Sequence, residues 1–126
     1  METQKIYIQH EENNEWMNKL LFYKDEIKVL THRLEEIVSK NTSKDILINL
    51  EHHQNQLIIA NNTIEKLKHE VNISNHLLND EIKNNTVAVD RRRVEDHSIL
   101  REEIKQFEDS ISTIKKSLNS FVSTWM

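Results

Sequence analysis

Ile46, Leu50, His53, Leu57, Ala60, Ile64, Leu67 and Val71 succeed one another at alternating steps of four and three residues, and only His53 among them is polar. An α-helix turns once in roughly 3.6 residues, so this rhythm holds one line of side chains on a single side of the helix along the whole stretch. A strand, whose side chains alternate between two surfaces, would split the same residues between core and solvent. The segment from Thr42 to Asn85 is therefore predicted to be a central rod roughly 60 Å long.

The residue types that would interrupt such a rod are missing, since the 126 residues include no Gly, no Pro and no Cys. Hairpins and tight loops depend on Gly for positive φ and on Pro for fixed turns, whereas an uninterrupted helix needs neither. The predicted fold is all-α, a single domain of long helices joined by short polar turns. The absence of Cys removes disulfide frameworks, thiolate nucleophiles and Cys-ligated zinc or iron–sulfur centres. Without Gly, neither a nucleophile elbow nor a phosphate-cradling loop can be built, which argues against nucleophilic hydrolysis and nucleotide binding.

Two further seams flank the rod. Trp16, Leu20, Tyr23, Ile27, Leu30, Leu34 and Ile37 keep the same spacing and predict a helix over about 4–40, whose seam continues toward the N-terminus through polar Asn13 and Gln9 to Ile6. Val94, His97, Leu100 or Arg101, Ile104, Phe107, Ile111, Ile114, Leu118, Phe121 and Trp125 form the third seam, predicting a helix over about 87–125. The run from Ser39 to Asp45 reads as the first break. Asn41 tolerates the left-handed conformation that ends helices, and Thr42 with Asp45 has the spacing of a cap. Asn84, Asn85 and Thr86 form the second break, with Thr86 or Asp90 as the next cap, so the middle helix is predicted over about 43–84.

Three seams of similar length joined by short turns predict an up-down-up bundle of three long antiparallel helices. A short first turn sets residues of the first two helices level when their numbers add to about 83, placing Trp16 beside Leu67 and His32 beside Leu50 and His53. Leu21, Phe22, Val29, Val38, Leu47, Ile48, Ile58, Ile59, Ile73 and Leu77 lie off the seams. An isolated bundle would leave them wet, so a homodimer is expected to cover them.

A net charge of −4 with both signs interspersed describes a mixed, solvated surface. The basic run Arg91-Arg92-Arg93 is countered by Asp90, Glu95 and Asp96, which argues against nucleic-acid binding. No apolar window approaches the roughly 20 residues of a membrane span, and the N-terminal residues lack the pattern of a signal peptide, so a cytoplasmic location is expected.

The seven histidines are the main reactive inventory. Imidazole ligates transition metals and titrates near neutrality, and helical bundles build such sites from side chains on facing helices. The expected level of the helices brings His76, Asp80 and His97 together, with His10 or His69 as a further ligand for zinc, copper or iron. His32 and Glu36 have the His-x-x-x-Glu spacing of one element of the hemerythrin pattern, but the paired downstream ligands of that family do not occur, nor does the Glu-x-x-His pair of di-iron carboxylate bundles. The leading expectation is a non-enzymatic interaction or scaffold protein, needing no cofactor, that associates by seam-to-seam packing with a second copy or another protein. Its expected anchors are Trp16, Tyr23, Phe107, Phe121 and Trp125. His53 and His97 lie on seams, where a polar ring has to find a partner in the core.

Overall fold

The structure, a computed structural model, describes residues 2–40, 43–83 and 91–125. They form three α-helices, α1 (Glu2–Lys40), α2 (Lys44–Lys83) and α3 (Arg91–Trp125), and no strand occurs among the described residues. The start of α2 is set by Ser43, whose carbonyl accepts the Leu47 N–H at 3.1 Å. Asp45 adds a negative side chain in the first turn, where unbonded N–H groups leave partial positive charge. Lys40 and Lys83 complement the opposite ends of α1 and α2. The breaks expected at Asn41 and Thr42 and at Asn84 to Thr86, and the cap expected at Asp90, lie outside the described residues.

The seams are buried over most of their length, although Tyr23, Ile114 and Phe121 are half-buried and Val94 and Trp125, at the two ends of the third seam, are exposed. Leu34, Ile37, Ile64, Val71 and Leu118 are fully enclosed, and Trp16, Leu20, Ile27, Leu50, Leu57, Leu67, Ile104 and Ile111 nearly so, in one apolar cluster drawn from all three helices. Each large apolar side chain taken out of water in this way contributes about 1.5–3 kcal/mol. The N-terminal continuation of the first seam also turns inward, since Ile6, Gln9 and Asn13 are buried. α1 packs against α2, and α3 lies against both.

Polar pairs at the edges of the core show how the helices are aligned. Between α1 and α2, Asn13 bonds to Ser74 and Asn75, and Lys24 pairs with Glu65, so numbers fall along α2 as they rise along α1. Between α1 and α3, Glu12 pairs with Arg101, Lys19 with Glu108 and Glu26 with Lys115, every pair separated by the same 89 positions, so numbers rise together. The level of α2 differs from the sequence-based expectation. On that reckoning Asn13 would lie beside Glu70, yet its partners are about one turn further along. A turn of a few residues does not fix the level by itself. The buried amide of Asn13 does, because its hydrogens must be accepted by something inside the core.

The ten apolar residues off the seams are all exposed on the isolated chain, with Phe22 at 61% and Ile59 at 65%. Enclosed and exposed positions therefore make different claims on stability. Leu34→Ala or Ile64→Ala is expected to cost about 2–5 kcal/mol, read by denaturant unfolding. For the chain on its own, Trp125→Ala, at a position 40% exposed, would cost less than half as much as Leu34→Ala. An equal loss at Trp125 would mean that something other than this chain covers it in solution.

Candidate functional site

Polar residues interrupt the seams at two levels, and both interruptions carry a histidine. At the first, Asn13 is fully buried and gives both amide hydrogens to α2, its Nδ2 lying 3.0 Å from Ser74 Oγ and 3.0 Å from Asn75 Oδ1. On the α3 side, His97 is only 3% exposed and stacks on Trp16 with ring centroids 4.8 Å apart. Its Nε2 lies 3.3 Å from Glu12 Oε1. Arg101, one turn further along α3, grips the same carboxylate through two bonds, Nε to Oε2 at 2.9 Å and Nη2 to Oε1 at 2.7 Å. This two-pronged geometry is the strong form of a charged pair.

The electrostatics follow from that arrangement. The hydrogen bond from Arg101 holds the Glu12 carboxyl below the usual carboxylate range, and Glu12 in turn raises the Arg101 guanidinium. Burial dominates at His97 and pushes its imidazole below the ordinary value, while Glu12 pulls the other way. The result is a neutral ring held between an aromatic face and an ion pair. Its Nδ1 is closed off from solvent, so the ring has no free lone pair to offer a molecule in bulk water.

At the second level, His53 of α2 is buried against Phe121 of α3, with centroids 4.8 Å apart. Burial and then the neighbouring His52 lower its pKa. A third titratable contact joins α2 and α3 near mid-bundle. Burial, followed by a hydrogen bond with Glu103, holds the Glu70 carboxyl above the usual range.

The residues expected to ligate a metal are spread apart in their surroundings. His97 is enclosed and faces Glu12, whereas His76 is 80% exposed and lies 4.0 Å from Asp80 on the surface of α2. His69 is exposed and His10 half-buried. Among the described residues, no three His, Asp or Glu side chains gather closely enough to hold a metal ion. Of the expected contact anchors, Trp16 and Phe107 are buried inside the chain, Tyr23 and Phe121 pack partly on the core, and Trp125 is the most exposed. Tyr23 meets Phe107 edge-on with centroids 5.7 Å apart. An open groove of about 690 Å³ runs between α1 and α2, with Ile27 and Leu57 at its base and Lys28, His32, Glu51 and Asn55 among its lining residues. No helix among the described residues is long and apolar enough to cross a membrane.

Sequence reasoning placed His53 and His97 on the seams but did not find the partners of His97. Glu12 lies beside the seam, and Arg101 occupies a place where the spacing fits either Leu100 or Arg101. The available signal was the opposite charge of two residues flanking the same histidine level. No protein-family model matches this chain, and no curated protein or solved structure matches it either.

The two core imidazoles give a signed prediction. Both have folded pKa values below the ordinary 6.5, so as pH falls the unfolded chain takes up protons first. Their neutral burial contributes fully above that value and is lost as pH falls through it toward the folded values. Urea unfolding at a series of pH values from about 7.5 to 5 should show declining stability over this window. His97→Gln should flatten part of the decline. The Glu12–Arg101 pair acts in a separate, lower window, because a depressed carboxyl loses its contribution only as pH falls below its ordinary 4.5.

Proposed function

We propose that this chain is a non-enzymatic interaction or scaffold protein, an up-down-up bundle of three antiparallel helices that associates through its outer apolar residues, first of all with a second copy of itself. The observation that carries this reading is the exposure of large apolar side chains on all three helices, among them Ile8, Phe22, Ile48, Ile59, Ile99 and Trp125. Such residues are common singly on protein surfaces, and here they recur on every one of the three helices. The alternating contact order of the helices supports the up-down-up arrangement. Because Trp16 and Phe107 are committed to the core, the anchoring role falls to Trp125 together with the outer edges of Tyr23 and Phe121. A stable interface removes roughly 800 Å² from each partner, and a handful of such side chains supplies most of its energy.

Sedimentation or native mass measurement across a concentration series tests this directly. A dimer is expected, with Phe22→Glu or Ile59→Glu shifting the population toward monomer while leaving the helical signal intact. A monomer at every concentration would end the self-association reading. The alternative, a histidine and carboxylate site for zinc, copper or iron, rests on the His76–Asp80 pair. Titration of the untagged protein with these metals tests it, and binding at one ion per chain that is lost in His76→Ala would promote it.

A further inference from the structure

We infer that the level of the bundle shared by Asn13 and His97 holds one small hydrogen-bond donor, a water molecule, bridging Asn13 Oδ1 and His97 Nδ1. His97 lies against Glu12 and Trp16, which bracket Asn13 on α1, while Asn13 is tied to α2 through Ser74 and Asn75. All three helices thus contribute a polar residue at one height. Both side chains are more than nine-tenths buried, and these two atoms have no hydrogen-bond partner.

The chemistry of each atom is fixed by what its side chain does elsewhere. Asn13 Nδ2 spends both hydrogens on α2, which leaves Oδ1 as a buried acceptor. His97 Nε2 faces a carboxylate that Arg101 keeps ionised, and an ionised carboxylate only accepts. Nε2 therefore carries the proton, and Nδ1 presents a lone pair. Two acceptors cannot satisfy each other, and an apolar filler would leave both unpaired. A water brings two hydrogens, one for each acceptor, and is the usual partner of buried polar groups that the protein itself leaves unpaired. Gln9 Oε1, buried and unpartnered one turn away, is a further acceptor of the same kind. A metal ion also accepts lone pairs, but Glu12 is already engaged by Arg101, and among the described residues no third His, Asp or Glu joins His97 and Glu12.

The bridge makes this level a latch. Sliding α2 or α3 by a turn would strand the amide, the imidazole and the water together, whereas a wholly apolar level would tolerate the slip.

Long-range proton–nitrogen NMR on 15N-labelled full-length protein at neutral pH tests the inference, combined with a water-selective cross-relaxation experiment. The expected result is a His97 ring protonated at Nε2 and bare at Nδ1. A cross-peak of the sign given by a long-lived water should appear at His97 Hε1 or the Asn13 side-chain amide, and should vanish in Asn13→Leu. A ring protonated at Nδ1, or the absence of a water cross-peak, would overturn it. So would a slow-exchange shift of Nδ1 on adding one equivalent of zinc. Should Asn13→Leu not fold, the tautomer and the cross-peak of the unaltered protein decide the matter alone.

Discussion

A line of side chains that keeps to one side of a long helix has to be buried along its whole length, and where the described residues form helices and no strand, it is another helix that lies alongside. That constraint governs the whole chain, because each of the three seams is longer than any turn or loop available to cover it. Leu34, Ile64 and Leu118, one from each rod, are enclosed together in a single apolar cluster. Stability thus comes from many similar apolar contacts spread over the length of the bundle.

Uniform apolar contact is strong but indifferent to alignment, and the polar interruptions compensate for this. Asn13, His53 and His97 occupy positions where Leu would bury more apolar surface. Polar groups retained in such places commonly fix register at a cost in stability. At Asn13 the two amide hydrogens can be accepted only where Ser74 and Asn75 stand, and at His97 the ring is held by an aromatic face and a charged pair at once. Both buried imidazoles sit at these interruptions, so part of the response of the protein to acid is tied to the residues that hold its helices level.

Much of the fold was legible in the sequence because burial in a bundle follows spacing. The 4-3 rhythm from Ile46 to Val71 and from Trp16 to Ile37 identified core positions that are buried without exception save Tyr23, which is half-buried. The off-seam residues expected to be wet are all exposed. The height of α2 against α1 was less legible, because turn length leaves a helix free to slide by a turn and the deciding amide contact involves residues 61 positions apart. The same limit explains the histidines. Composition supplies their number, but whether His76 and His97 share a site depends on rotation and height, and a one-turn change in either alters every neighbour.

The three ion pairs between α1 and α3 have alternating polarity along α1, Glu12 negative, Lys19 positive and Glu26 negative, each with an opposite charge across from it. If α3 slipped by one heptad, its apolar residues would still find the seam. Glu12 would then confront Glu108 and Lys19 would confront Lys115. A slip the other way would set Lys19 against Arg101 and Glu26 against Glu108. Each contact alone is worth little at a surface, but the alternation converts weak attractions into a vernier, so that a one-heptad error in either direction is met by repulsion at successive rungs.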